Sequence, residues 1–306
     1  MKKILVLGTG FIGSEIVIRL HKKFHIICID HGRNFTNLNQ KCENVEFVKG
    51  DCFDMELLKK NLKNCNKVIF CINGGGVYDC KKSPEKFNMI NTLEFQKVIK
   101  ILENFNQIEF FLFSTGYVYP DLHGVGEDVY PAPSTEYGKQ RWNQEQILRN
   151  SKIRFTILRL SNIFGYGNII NIGNLGAVEK FIEKGFLEKS ITLHGDGKQK
   201  LDLLSKEDLI DLIEIIIEKN SDCSTYNVCS GKQLPIFIVA EIIQKIIKEL
   251  FEINVKIKKE NPRIKFPDAP LMSNKKILTE TTWFPKRVFT NEVKKMIHDY
   301  GSSHKW

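Results

Sequence analysis

No stretch of the 306-residue chain approaches the roughly 18 consecutive apolar residues that a membrane-spanning helix needs. The first apolar run stops at Leu7 in a glycine loop, too short for the core of a signal peptide. A protein of the reducing cytoplasm, with no membrane partner, is expected. The eight cysteines (Cys28, Cys42, Cys52, Cys65, Cys71, Cys80, Cys223 and Cys229) contain no C-x-x-C pair, and their closest spacings suit no common zinc module. Buried free thiols and no metal site are expected. Internal repeats and long low-complexity linkers are also missing, which excludes a solenoid.

What is present is globular: 42% hydrophobic and 26% charged residues, enough for one large domain or two that share a core. Lys and Arg number 45 against 36 Asp and Glu, a net charge of +9. Such a surface attracts anions, whether nucleic acid, acidic lipid or a phosphorylated metabolite, and charge alone does not choose among them.

Short runs rich in Val, Ile and Phe predict strands at 3–7, 25–30, 45–48, 67–72, 108–113 and 154–160. Helical spacing predicts helices at 14–23, 55–62, 84–104 and 137–150 between them. This alternation gives the fold class α/β, a Rossmann-type doubly wound parallel sheet with every strand's C-terminal end along one edge. Beyond 160 the pattern loosens into strands at 191–193, 226–228 and 255–258 and helices at 206–219 and 235–250. We therefore expect a dinucleotide-binding domain over 1–165, with 203–230 returning to it. A smaller C-terminal α/β substrate-binding region is expected from 166–202 and 231–306.

The segment GTGFIG is a G-x-G-x-x-G placed after a strand and before a helix. Gly8 permits the tight turn, Gly10 lets a pyrophosphate approach the backbone, and Gly13 lets helix and strand pack closely. Phe11 and Ile12 lie between these glycines and join the expected cofactor contacts. Asp30 ends the second strand 17 residues after Gly13, close to where an acid grips the adenosine ribose. That favours NAD as cofactor, although Arg33 could accommodate the extra phosphate of NADP. Asp51, with Cys52 beside it, is placed to accept from the adenine amino group, and Asp51 also suits a helix cap.

The fifth strand leads into FSTGYVYP, and the helix near 137 reads YGKQRWNQE. Here the chain resembles the extended short-chain dehydrogenase/reductases that modify nucleotide sugars. In these, a Ser or Thr at the end of strand five works with a Tyr-x-x-x-Lys helix. The resemblance implies Thr115 and Tyr137 as catalytic groups, with Arg141 standing where the family carries lysine. NMINT, LRLSNIFGYG, ITLHGDGKQKLD and YNVCSGKQ are similar to further family motifs, so the likeness runs over nearly the whole chain. It implies Asn162 as a substrate contact. Leu201 replaces an arginine that commonly holds the nucleotide diphosphate, so Lys198, Lys200 and Arg263 become the candidate cations. A homodimer built on the helices after strands four and five is implied as well.

Hydride transfer at a carbinol carbon needs a partner that takes or gives the hydroxyl proton. A tyrosine does so near neutrality if its phenolate gains about 4 kcal/mol of preferential stabilisation. Position 141 shares a helix face with Tyr137, whereas Lys139 is out of phase. Arginine keeps the charge but cannot pass a proton along a relay. A second Tyr-x-x-x-Lys, Tyr78 to Lys82, is read as coincidence in a turn.

Gly116 and Tyr117 follow Thr115 where dehydratases of this family carry Asp-Glu, and no Cys lies in 115–120 as in 3,5-epimerases. What remains is an NAD(H)-dependent oxidoreductase acting at C4 of a nucleoside-diphosphate sugar, as a 4-dehydrogenase or 4-ketoreductase. A 4-epimerase with retained NAD is the first alternative, and a non-catalytic dinucleotide- or RNA-binding module the second. Nucleic acid is disfavoured because no RNP-like aromatic motif occurs.

Overall fold

The computed structural model describes residues 1–120, 122–166, 176–219, 223–261 and 270–303. Its first five strands are β1 (Lys3–Leu7), β2 (His25–Asp30), β3 (Val45–Lys49), β4 (Lys67–Phe70) and β5 (Glu109–Thr115). With the strands Arg154–Leu160 and Ser224–Val228 they form one seven-stranded sheet. Its order is Ser224–Val228, Arg154–Leu160, β5, β4, β1, β2, β3. Every pairing is parallel. The order reverses at β1, and the crevice for a ligand opens beyond the carboxyl ends of β1 and β4.

The strands β1, β2, β4, β5 and Arg154–Leu160 are buried on both faces and are largely apolar, their residues alternating between two cores, whereas β3 at the edge is half-exposed. Ile4 and Val6 of β1 pack with Phe111 and Phe113 of β5 against the helices Gly13–Leu20 (α1) and Lys206–Ile216. Leu5, Leu7, Phe110 and Leu112 pack on the other face, among Leu58, Val98, Leu102 and Leu148. A third core joins Phe164, Phe186, Ile191 and Ile243 to Met296 and Ile297. Smaller sheets carry the C-terminal region; one sets Lys200–Ser205 between Asn162–Phe164 and Gln233–Pro235. The strand expected at 255–258 is Lys256–Glu260, which among the described residues pairs with Ser190–His194 alone and leaves its lysines exposed at a sheet edge.

Two expected segments take a different form, and the helices Ala177–Leu187 and Phe289–Ser303 stand where none was expected. The single helix predicted over 84–104 is broken: Pro84–Asn88 and Phe95–Leu102 are α-helical, and Met89–Glu94 between them is a π turn. The wide turn sets Asn91 inward, where its Oδ1 accepts from Gly74 N–H at 2.9 Å and its Nδ2 donates to Gln140 Oε1 at 2.9 Å. Tyr78 to Lys82 is not a turn but part of a helix, Val77–Lys82.

All eight cysteines are free; five are buried, Cys42 and Cys71 are half-buried and Cys223 is exposed. No helix among the described residues is long and apolar enough to cross a membrane, and no cluster of metal-ligating side chains occurs among them.

Candidate active site

The glycine loop is built by steric necessity. Gly8 has φ +89°, the left-handed region where a side chain is strained, and a Cβ on Gly13 would sit 2.0 Å from the Gly8 carbonyl oxygen. Gly10 faces open space, with nothing within 4 Å of where its Cβ would be. Behind the loop, Asp30 Oδ2 accepts from Thr9 N–H at 2.8 Å and Oδ1 from Gly32 N–H at 3.0 Å. A carboxylate has about four acceptor sites, so Asp30 keeps capacity for ribose hydroxyls. Arg33, three residues after Asp30, and Asp51, after β3, are exposed, and Cys52 is buried with its thiol on Ile29 O. Asp51 does not cap the following helix. Its Oδ1 accepts from Phe53 N–H, and Asp54 caps Met55–Leu62 through Glu56 and Leu57 N–H.

Beyond β1 and β5 lie two adjoining cavities. The inner one, of about 180 Å³, is lined by Ile12 from the glycine loop together with Cys71, Ser114 and Arg141. The outer cleft, of about 510 Å³, is lined by Tyr78, Asn162, Glu179, Lys180 and Leu201 among others, a volume ordinary for a small-molecule site. Thr115 and Tyr137 belong to the walls of both. Thr115 is the last residue of β5, which runs two residues beyond its predicted end. Tyr137 stands in the first turn of the helix Glu136–Arg149, capped by Thr135 Oγ1 accepting from Gly138 N–H.

One turn along that helix, Arg141 is 4% exposed, and its Cζ lies 5.7 Å from the centre of the Tyr137 ring. Its Nη1 donates to Gln144 Oε1 at 2.6 Å, while its Nε is buried without an acceptor. Lys139 points elsewhere, paired with Glu136 at the surface. The next turn carries Glu145, fully buried, whose carboxylate accepts from Arg159 and from Ser114 Oγ at 2.6 Å. Arg159 also donates to Tyr119 Oη, which donates to Asn227 Oδ1. This network ties the Tyr137 helix to β5 immediately before Thr115. Breaking such a buried pair by removing one partner costs about 3–5 kcal/mol, so the register of helix on strand is firmly held.

The residues present fit a dinucleotide: an open face at Gly10, a carboxylate with spare acceptor capacity at Asp30, and a buried guanidinium nitrogen without a partner at the inner cavity. Asn162 lines the outer cleft, with its Nδ2 on Asp202 O at 3.3 Å. Leu201 also lines it, so the position that carries arginine in the resembled family is uncharged. Lys198 lies outside this wall, exposed and 3.7 Å from Asp196, and Lys200 is exposed on its strand. Arg263 falls outside the described residues.

Sequence reading missed Tyr78, Glu179 and Lys180. Lys180 is the one cation lining the cleft among the described residues. Glu179 had a signal: it is in phase with Ile182 and Phe186 on the buried face of the helix Ala177–Leu187, where a carboxylate is out of place.

The sequence profile described as the NAD dependent epimerase/dehydratase family matches residues 4–229. The dTDP-D-glucose 4,6-dehydratase of Dictyostelium discoideum is 27% identical over 80% of this chain, which spans 62% of that protein's length. The GDP-6-deoxy-D-talose 4-dehydrogenase of Aggregatibacter actinomycetemcomitans is 23% identical over 89% of this chain and 87% of its own. Among solved structures, the UDP-glucuronic acid 4-epimerase of Bacillus cereus, in complex with UDP-glucuronic acid and NAD, superposes with a TM-score of 0.84. It is 23% identical and covers 98% of this chain and 99% of its own. A glycine loop at the head of a parallel sheet, a Thr and Tyr shared by two cavities and a profile match over most of the length agree: the chain belongs to the NAD-dependent epimerase/dehydratase family of enzymes.

Proposed function

We propose that this protein is an NAD(H)-dependent oxidoreductase that interconverts the 4-hydroxyl and 4-keto forms of a nucleoside-diphosphate sugar. The observation that carries this reading is the position of Thr115 and Tyr137 in the common wall of the inner cavity and the outer cleft. Any alcohol held there lies between a dinucleotide on the glycine loop and solvent. Bound NAD supplies the hydride acceptor and, reduced, the donor.

The remaining work falls to the chain. The Thr115 hydroxyl holds the reacting oxygen by a hydrogen bond. The Tyr137 hydroxyl takes the proton of the sugar alcohol during oxidation and returns it during reduction. Arg141 sets a fixed positive charge against the Tyr137 ring and stabilises the negative charge that develops on the phenol oxygen; its free Nε holds a ribose hydroxyl. Asp30 holds the adenosine ribose and Asp51 the adenine amino group, Asn162 contacts the sugar, and Lys180 meets the diphosphate in place of the charge absent at Leu201. Dehydration would need an acid beside Thr115, and Gly116 and Tyr117 offer none.

Incubation of the purified protein with UDP-, dTDP- and GDP-linked hexoses tests this. A change in NADH that depends on the sugar nucleotide, and is not seen with the free hexose, is the expected result. Inversion at C4 without net redox change would assign 4-epimerisation instead, and no reaction with any of them would overturn the reading.

We also propose a cytoplasmic homodimer. The groove between the helices Phe95–Leu102 and Glu136–Arg149 is lined by Thr92, Gln96, Ile99, Asn143 and Ile147, and Met89 and Leu93 are exposed beside it. Light scattering at micromolar concentration is expected to give twice the chain mass of 35.4 kDa, and a monomer would contradict the dimer.

A further inference from the structure

We propose that Glu179 selects the sugar: its free carboxylate oxygen accepts a hydrogen bond from a hydroxyl of the bound hexose, and its charge disfavours hexuronic acids. This deepens the nucleotide-sugar reading above and rests on it. The other buried carboxylates with a described partner are satisfied. Glu145 pairs with Arg159, Glu109 with Lys67, Glu15 with Lys206 and Asp208 with Arg287, while Asp202 accepts from Ser230 and Gly231 N–H. Glu179 differs. Its Oε1 accepts from Gly165 N–H at 2.7 Å, but Oε2 is buried with no donor, the one carboxylate oxygen so placed among the described residues.

The residue is 3% exposed and lines the outer cleft. A Cβ at Gly176, also in the cleft wall, would sit 2.5 Å from Oε2, so only glycine lets the chain pass this close to the carboxylate. Burial pushes the Glu179 carboxyl up, against the opposing pull of the nearby Gly165, Glu179 and Gly176 N–H groups and the Lys180 charge. A buried acceptor without a donor is costly, and a ligand hydroxyl removes that cost. A second carboxylate brought to the same wall would be repelled strongly in so enclosed a place. Glu179 is also the third residue of its helix, where a purely structural carboxylate would serve the helix end. Such a role would leave sugar preference unaffected, which gives the test its readout.

Calorimetric titration of the NAD-loaded protein with UDP-, dTDP- and GDP-linked hexoses, the matching hexuronic acids and the parent nucleoside diphosphates decides. The wild-type protein is expected to bind the hexose form at least about tenfold more tightly than the uronic acid. In Glu179→Gln that ratio is expected to shrink about tenfold, any change in affinity for the parent diphosphate being common to both sugar forms and so absent from the ratio. A ratio unaltered in Glu179→Gln, or a wild-type preference for the uronic acid, would overturn the assignment while leaving the enzyme reading intact. Failure of every sugar nucleotide to bind would overturn both. Should the variant fail to fold, the wild-type ratio alone decides.

Discussion

Replacing Tyr137 by phenylalanine lowers kcat by about a thousandfold, equivalent to about 4 kcal/mol of transition-state stabilisation, and leaves NAD affinity within about twofold. The ring survives in the variant, with its contacts to Tyr117 and to the Arg141 guanidinium. Only the proton-carrying oxygen is removed, so the loss falls on the chemical step. Steady-state kinetics beside a fluorescence titration with the dinucleotide measure the two quantities separately. Turnover that survived the substitution would mean that another group moves the proton, and none of the other described residues shared by the two cavities (Asn73, Thr115, Leu160 and Ser161) is a plain substitute for a phenol.

Arg141→Met is expected to lower kcat about a hundredfold and to weaken dinucleotide binding as well, whereas Arg141→Lys retains activity within about tenfold. The asymmetry follows from the site. Arg141 is buried against the Tyr137 ring with no carboxylate among its described contacts, so its charge is directed to the site rather than spent in an ion pair. Methionine removes that charge and the free Nε together, and lysine restores the charge alone. Comparable kinetics for Arg141→Met and wild type would show that the charge has no part in the reaction. A combined variant with Tyr137→Phe is expected to be less damaged than the two losses multiplied, because the residues act on one proton.

The parts of this account that were legible in the sequence are those fixed by local spacing. Gly8, Gly10 and Gly13 follow a strand and open a helix, and the helical period puts position 141 rather than 139 beside Tyr137. Both relations hold in the structure because they depend on the backbone alone. Relations that depend on distant partners were not legible. The π turn at Met89–Glu94 accompanies Asn91 meeting Gly74 and Gln140, residues 17 and 49 positions away. Lys198 was a reasonable cation by charge, but the tight GDGK turn sets it beside Asp196 and away from the cleft. Glu179 and Lys180 enter the wall only because their helix packs beside the strand Asn162–Phe164 at Gly165.

The most direct test of the central claim is a crystal structure of Tyr137→Phe bound to NAD and a sugar nucleotide. The account predicts the nicotinamide in the cavity of Ile12 and Arg141, with the C4 oxygen of the sugar roughly 3 Å from Thr115 Oγ1 and at the edge of the ring at position 137. A sugar seated elsewhere in the cleft, or a nicotinamide separated from position 137 by protein, would contradict it.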